Sequence, residues 1–154
     1  MEFGARSLGN RSILASPLYK DMKDKINLDV KHRENWRPFC PSILDKDYKK
    51  YIASNIKSKF MRIALPVNEK IKKLIPLFVH VDGTVRCQIV DKKNNVRYFR
   101  LIKEFKKLSG HGILINTSFN IQGEPVVCTP RDALRTFGGT GLDVLIIGKY
   151  IVTK

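Results

Sequence analysis

A mixed α/β (α+β) fold is the expectation from three features of the sequence. Helical and strand-like apolar periodicities alternate along the chain, turn-rich segments separate them, and no stretch repeats. With 154 residues, 43% of them hydrophobic, the chain can bury one compact core and is short for two, so a single domain over 1–154 is expected. Charged residues make up 28% and are dispersed among apolar segments, unlike those of a disordered chain.

Taken in order, residues 1–14 (MEFGARSLGNRSIL) mix Gly, Arg, Asn and Ser with no helical or strand pattern and read as an interdomain segment. Over 21–30, Met22, Ile26 and Val30 fall at i, i+4 and i+8 with charges between them, which predicts a short amphipathic helix. Residues 31–42 (KHRENWRPFCPS) carry two prolines and an aromatic pair among basic residues, the composition of an ordered but irregular loop. A second helix is predicted over 45–55. Alternation over 60–67 and 78–90 predicts strands, the latter broken by a turn at Asp82-Gly83.

Tyr98, Leu101, Ile102, Phe105 and Leu108 then follow helical spacing over 96–109, and Gly110 and Gly112 stop the run. Residues 112–115 suit a buried strand leading into the polar turn NTSFNIQGEP. Thr129-Pro130-Arg131-Asp132 has Thr as N-cap, Pro at the first helical position and Asp at the third, a complete helix start. The closing LDVLIIGKYIVTK reads as a hairpin around Gly148-Lys149.

The excess of 29 Lys+Arg over 14 Asp+Glu gives a net charge of +15, which favours polyanionic partners: nucleotide phosphates, nucleic acid or an acidic protein face. The tracts Lys70, Lys72, Lys73 and Lys103, Lys106, Lys107 suit solvated helix faces instead. Cys40, Cys87 and Cys128 are odd in number and have neither disulfide-framework nor zinc spacing, so a reduced, cytoplasmic protein is expected. No apolar run is long enough to span a bilayer, and no signal-peptide pattern opens the chain.

His32, His80 and His111 have no carboxylate or Cys partner at motif spacing, and neither G-x-S-x-G nor a Walker-type phosphate loop occurs. Paired carboxylates are scarce, which disfavours a two-acid mechanism. Cationic and hydrogen-bonding side chains instead lie in loops and turns: Arg6, Arg11, Lys31, Arg33, Arg37 and Arg86, then Asn116, Ser118 and Asn120. Arginine forks and mobile lysines on loops are what a phosphate site needs. Loop arginines also cap helices or pair with surface acids, and N-T-S-F-N can be an Asx-rich turn that satisfies its own backbone; residue types alone leave both open.

The ordered blocks EFGARSLGNRSIL, KHRENWRPFCPS, VDGTVRCQIV, RYFRLIKEF and ILINTSFNIQGEPVVCTPRDALRTF span nearly the whole chain. Together they resemble the C-terminal domain of the O-carbamoyltransferases of nodulation-factor and antibiotic biosynthesis. That resemblance implies a YrdC-like twisted mixed sheet flanked by helices, with a basic concave groove that binds ATP and carbamoyl phosphate and forms carbamoyl-adenylate. In the family the carbamoyl group then passes to a hydroxyl in a separate N-terminal ASKHA-type domain, where histidines hold a metal.

Carried over by block, Lys31, Arg37 and Arg86 are the implied catalytic set. Arg6, Ser118 and Asn120, with Arg11, Arg33 and Asn116, are the implied ligand-binding set. Ala5 and Ser7 stand where many relatives have Pro and Ala, a departure beside Arg6 that removes no charged group. Mg²⁺ is expected to arrive with the nucleotide, bound through phosphates and water, and no dedicated metal site is implied. The alternative for so basic a domain is RNA binding without catalysis; only Trp36, Tyr98 and a few phenylalanines could stack on bases, with no RNP-like pattern.

Overall fold

The computed structural model describes residues 7–154. Its frame is a four-stranded mixed sheet in the order β1-β6-β2-β5. The strands are β1 (Ser12–Ala15), β2 (Cys40–Leu44), β5 (Gln88–Val90) and β6 (Ile113–Ser118). β6 runs antiparallel to both β1 and β2, and β2 runs parallel to β5. Smaller pairs are β3 (Leu65–Pro66) with β4 (Thr84–Val85), and β7 (Val144–Ile147) with β8 (Tyr150–Thr153).

Strand alternation divides the apolar residues between two layers. Ile13, Ile43, Ile89, Ile113 and Ile115 face one side, where they meet Ile26, Val30, Tyr48, Phe78, Phe119 and Phe137. Leu44, Val90 and Leu114 face the other, against Tyr98 and Ile102 of α4 (Val96–Ser109). α4 begins where the Asn95 side chain accepts from the Tyr98 N–H and ends at Gly110, whose φ of 75° an L side chain adopts at a cost. α5 (Pro130–Gly138) opens with the expected Thr129 cap, and Asp132 completes a reciprocal capping box. The closing hairpin forms where the sequence places it.

Several elements differ from expectation. The segment 1–14 contributes a strand after all, because Ser12–Ala15 finds a ready edge on β6. The helix predicted over 21–30 is one α-turn, α1 (Met22–Lys25), continued by a π-turn at Ile26–Val30. The helix predicted over 45–55 shortens to a 3-10 turn and α2 (Tyr48–Tyr51). Of the strand predicted over 60–67 only Leu65–Pro66 pairs: Met61 has φ 53°, which breaks the extended run, and Phe60 and Ile63 are exposed. Over 78–90 the pairing is confined to β4 and β5, with a 3-10 turn at Pro76–Phe78 before them. α3 (Glu69–Lys72) carries part of one lysine tract, and Lys72 and Lys107 pair with Glu69 and Glu104 on exposed helix faces. No helix among the described residues is long and apolar enough to cross a membrane.

Gly112, just before the interior strand β6, shows how closely this end of the sheet is packed. A Cβ there would lie 2.0 Å from Asp47 Oδ2 and 3.0 Å from Leu44 Cδ1. The Asp47 carboxylate cannot simply swing aside, because its other oxygen accepts from Lys106 at 2.6 Å. Gly112→Ala is therefore expected to destabilise the fold by about 1–3 kcal/mol, read as a lower urea midpoint at unchanged slope; an unchanged midpoint would contradict this packing.

Candidate functional site

At the end of the sheet where β6 stops and β2 and β5 begin, a cavity of about 180 Å³ opens. Arg33, Arg86, Asn116, Thr117 and Ser118 line it together with Ser7, Pro38, Phe39, Cys40 and Met61. Four of the sequence-predicted residues, Arg33, Arg86, Asn116 and Ser118, thus meet on one space although 85 positions separate the first from the last. Among the described residues no carboxylate lines the cavity. Arg86 sits just before β5 and has no ion-pair partner among the described residues, which leaves its fork open to an anion.

The loop that carries Arg33 is organised from below. Asn27, fully buried in the π-turn, accepts from Arg33 Nε at 2.7 Å and donates to the Asn35 and Arg37 carbonyls at 3.3 and 3.2 Å. Arg33 also lies 4.9 Å over the Phe39 ring. Burial, then the Arg37 charge, lower the Arg33 guanidinium from its ordinary value.

Lys31 points inward instead of along the cavity wall. It is 3% exposed, and its Nζ donates toward Ser118 O at 2.8 Å, Ser118 Oγ at 3.3 Å, Asn120 O at 2.7 Å and Asn120 Oδ1 at 2.6 Å. It thereby fixes the turn at whose start Ser118 meets the cavity. Burial, with a smaller contribution from the Arg33 charge, lowers its ammonium to about 7. His32 directly beside it has φ 49°, and Met61 in the cavity wall has φ 53°; two non-glycine residues in the left-handed region thus flank the site.

Asn120 turns away from the cavity to accept from Ser118 Oγ and donate to the Glu124 carbonyl at 2.7 Å, much as an Asx-rich turn would. Arg11 donates to the Val127 carbonyl at 2.9 Å and so ties β1 to the loop after β6. Arg37 lies outside this cavity's lining: it is half-exposed, 3.5 Å from Glu34 and stacked 6.0 Å over Trp36. Arg6 falls outside the described residues. No group of three or more His, Cys, Asp or Glu among the described residues is placed to hold a metal.

Sequence reasoning missed Asn27, Ser42 and Gln88. Ser42 is fully buried and Gln88 is 6% exposed, and with Asn116 they form a polar cluster inside the sheet. A signal was present: each is a polar residue between apolar neighbours in a segment that otherwise reads as core.

A family model described as Carbamoyltransferase C-terminus matches residues 1–154. The chain is 45% identical over 156 residues to nodulation protein NolNO of Sinorhizobium fredii, an alignment covering 99% of this chain and 23% of that protein. It is 32% identical over 147 residues to 3'-hydroxymethylcephem-O-carbamoyltransferase of Streptomyces clavuligerus, covering 96% of this chain and 28% of that protein. The chain spans about a quarter of the length of the curated relatives it matches. With the whole of its length matched, and with Arg33 and Arg86 meeting at one end of a mixed sheet, this chain belongs to the carbamoyltransferase C-terminal family.

Proposed function

We propose that the cavity holds carbamoyl phosphate and that the chain supports its conversion with ATP into carbamoyl-adenylate, for transfer to a hydroxyl acceptor in a separate ASKHA-type domain. The observation that carries this reading is the meeting of Arg33, Arg86 and Ser118 on one small cavity whose wall, among the described residues, contains no carboxylate. Its volume of about 180 Å³ suits a compact anion. Whole drug-sized ligands fill pockets of about 300–1,000 Å³, so the nucleotide would lie mostly outside it.

The chemistry matches the residue types. Hydrolysis of carbamoyl phosphate releases phosphate and leaves carbamate, whose oxygen attacks the α-phosphorus of ATP and expels pyrophosphate. Carbamate is already an anionic nucleophile, so the step needs charge stabilisation and alignment more than a protein base. Arg33 and Arg86 would supply charge, and Ser118, whose hydroxyl donates to Asn120 and is held from beneath by Lys31, would shape the wall beside them. Mg²⁺ would be carried by the nucleotide phosphates and water.

Incubating the chain with carbamoyl phosphate and ATP and measuring pyrophosphate tests the reaction, and calorimetry with each ligand tests the site. Pyrophosphate that depends on both ligands, with saturable binding of carbamoyl phosphate, is the expected result. No release, together with no binding of either ligand, would remove the proposal.

A further inference from the structure

One residue of this cavity's wall carries an acceptor without a partner, and the polar cluster around it fixes how its amide is oriented. Asn116 is 2% exposed and lines the cavity. Its Nδ2 faces Gln88 Oε1 at 2.9 Å, Ser42 Oγ at 3.0 Å and the Ser7 carbonyl at 3.2 Å. Gln88 is itself fixed: its Oε1 accepts from Ser42 Oγ at 2.6 Å and its Nε2 donates to the Leu8 carbonyl at 3.3 Å.

Two of the three groups facing Asn116 Nδ2 are carbonyl oxygens that can only accept. Rotating the amide by half a turn would set Oδ1 against them, lone pair to lone pair, so one orientation is locked. In that orientation Asn116 Oδ1 is buried with no hydrogen-bond partner among the described residues. A buried acceptor left unmet costs about 1–3 kcal/mol, and the two arginines of the cavity wall, Arg33 and Arg86, offer only donors.

We infer that Ser42 and Gln88 are positioning residues that hold the Asn116 amide with its oxygen toward the ligand, so that the site selects a phosphate ester bearing an N–H donor. This rests on the reading of the cavity as a carbamoyl phosphate site and adds to it the element that distinguishes the carbamoyl group. The amino group of carbamoyl phosphate supplies the missing donor while its phosphate meets the arginines. Acetyl phosphate, with a methyl group in that place, satisfies the arginines and leaves Oδ1 unmet. Polar sites reject an analogue that lacks the expected donor far more strongly than apolar pockets reject a missing methylene.

The test is calorimetric titration of the chain with carbamoyl phosphate, acetyl phosphate and inorganic phosphate, repeated on Gln88→Leu and Ser42→Ala. In the unaltered chain carbamoyl phosphate is expected to bind about tenfold or more tightly than acetyl phosphate, the worth of one buried hydrogen bond. Gln88→Leu removes the nearer of the two carbonyls that lock the amide and should lower that ratio severalfold, with Ser42→Ala lowering it less. Affinity for inorganic phosphate should stay within about twofold, a readout that general damage to the fold would not spare.

Equal affinity for carbamoyl and acetyl phosphate in the unaltered chain, with inorganic phosphate still bound, would overturn the selectivity and leave the phosphate site standing. A high ratio that survives both substitutions would overturn the positioning role of Ser42 and Gln88. Failure of all three phosphates to bind would remove the site, and the selectivity with it.

Discussion

Lys31→Ala is expected to cost the chain about 3 kcal/mol or more of stability and to lower its thermal midpoint by roughly 10 °C. The lysine is the shared partner of the Ser118 and Asn120 carbonyls and of both side chains. Removing it leaves oxygens buried without a donor and opens a void beside β6. Only part of this is offset by sparing the fold a buried ammonium. Thermal unfolding followed by circular dichroism reads the effect, and a shift below about 2 °C would show that the turn holds without it.

The same residue gives a dependence on pH whose sign is fixed. Burial lowers the folded-state ammonium from its ordinary 10.5 to about 7. Between those values the unfolded chain holds a proton that the folded chain has released, so this group makes stability rise with pH. Below about pH 7 both states are protonated and the contribution is flat. Subtracting the Lys31→Ala stability curve from that of the unaltered chain isolates this slope. A difference that falls between pH 7 and 10 would contradict the inward placement of the charge.

Arg86→Ala is expected to weaken carbamoyl phosphate binding by about 10–100-fold, the range for losing hydrogen bonds to a charged group. Its guanidinium lines the cavity without an ion-pair partner among the described residues, so little stability should be lost with it. Arg33→Ala is a less clean experiment, because it also breaks the bond to Asn27 and the contact over Phe39. Arg37→Ala should cost less than about threefold, since Glu34 and solvent already screen that charge. Calorimetry on the three variants orders them, and a larger loss for Arg37→Ala than for Arg86→Ala would move the site outward toward Trp36.

The elements that could be read from sequence are those whose causes are local. α4 is set by its own apolar stripe and by Gly110, α5 by Thr129 and Asp132, and the closing hairpin by two β-rich runs around Gly148. β1 escaped because its short run gains meaning only when β6 offers it an edge. The run over 60–67 has the alternation of a strand, but a left-handed Met61 and the burial of that side chain at the cavity override it.

The candidate site divides in the same way. Its residue types and their order along the chain were visible, and the blocks that contain Arg33, Arg86, Asn116 and Ser118 do converge. The directions of Lys31 and Arg37 were not visible, because they depend on the turn at His32 and on the hold of Asn27 over the loop behind it. Nor could alternation alone show that Ser42 and Gln88 share a buried layer with Asn116. That follows from the register that sets Ser42 beside Gln88 and Cys40 beside Asn116.

If the small cavity at the end of the sheet receives the phosphate of carbamoyl phosphate, a crystal of the chain soaked with that compound will show it there. Phosphate density is expected between Arg33, Arg86 and Ser118, with the amino group toward Asn116 Oδ1. Phosphate density elsewhere on the surface, with the cavity empty, would contradict it.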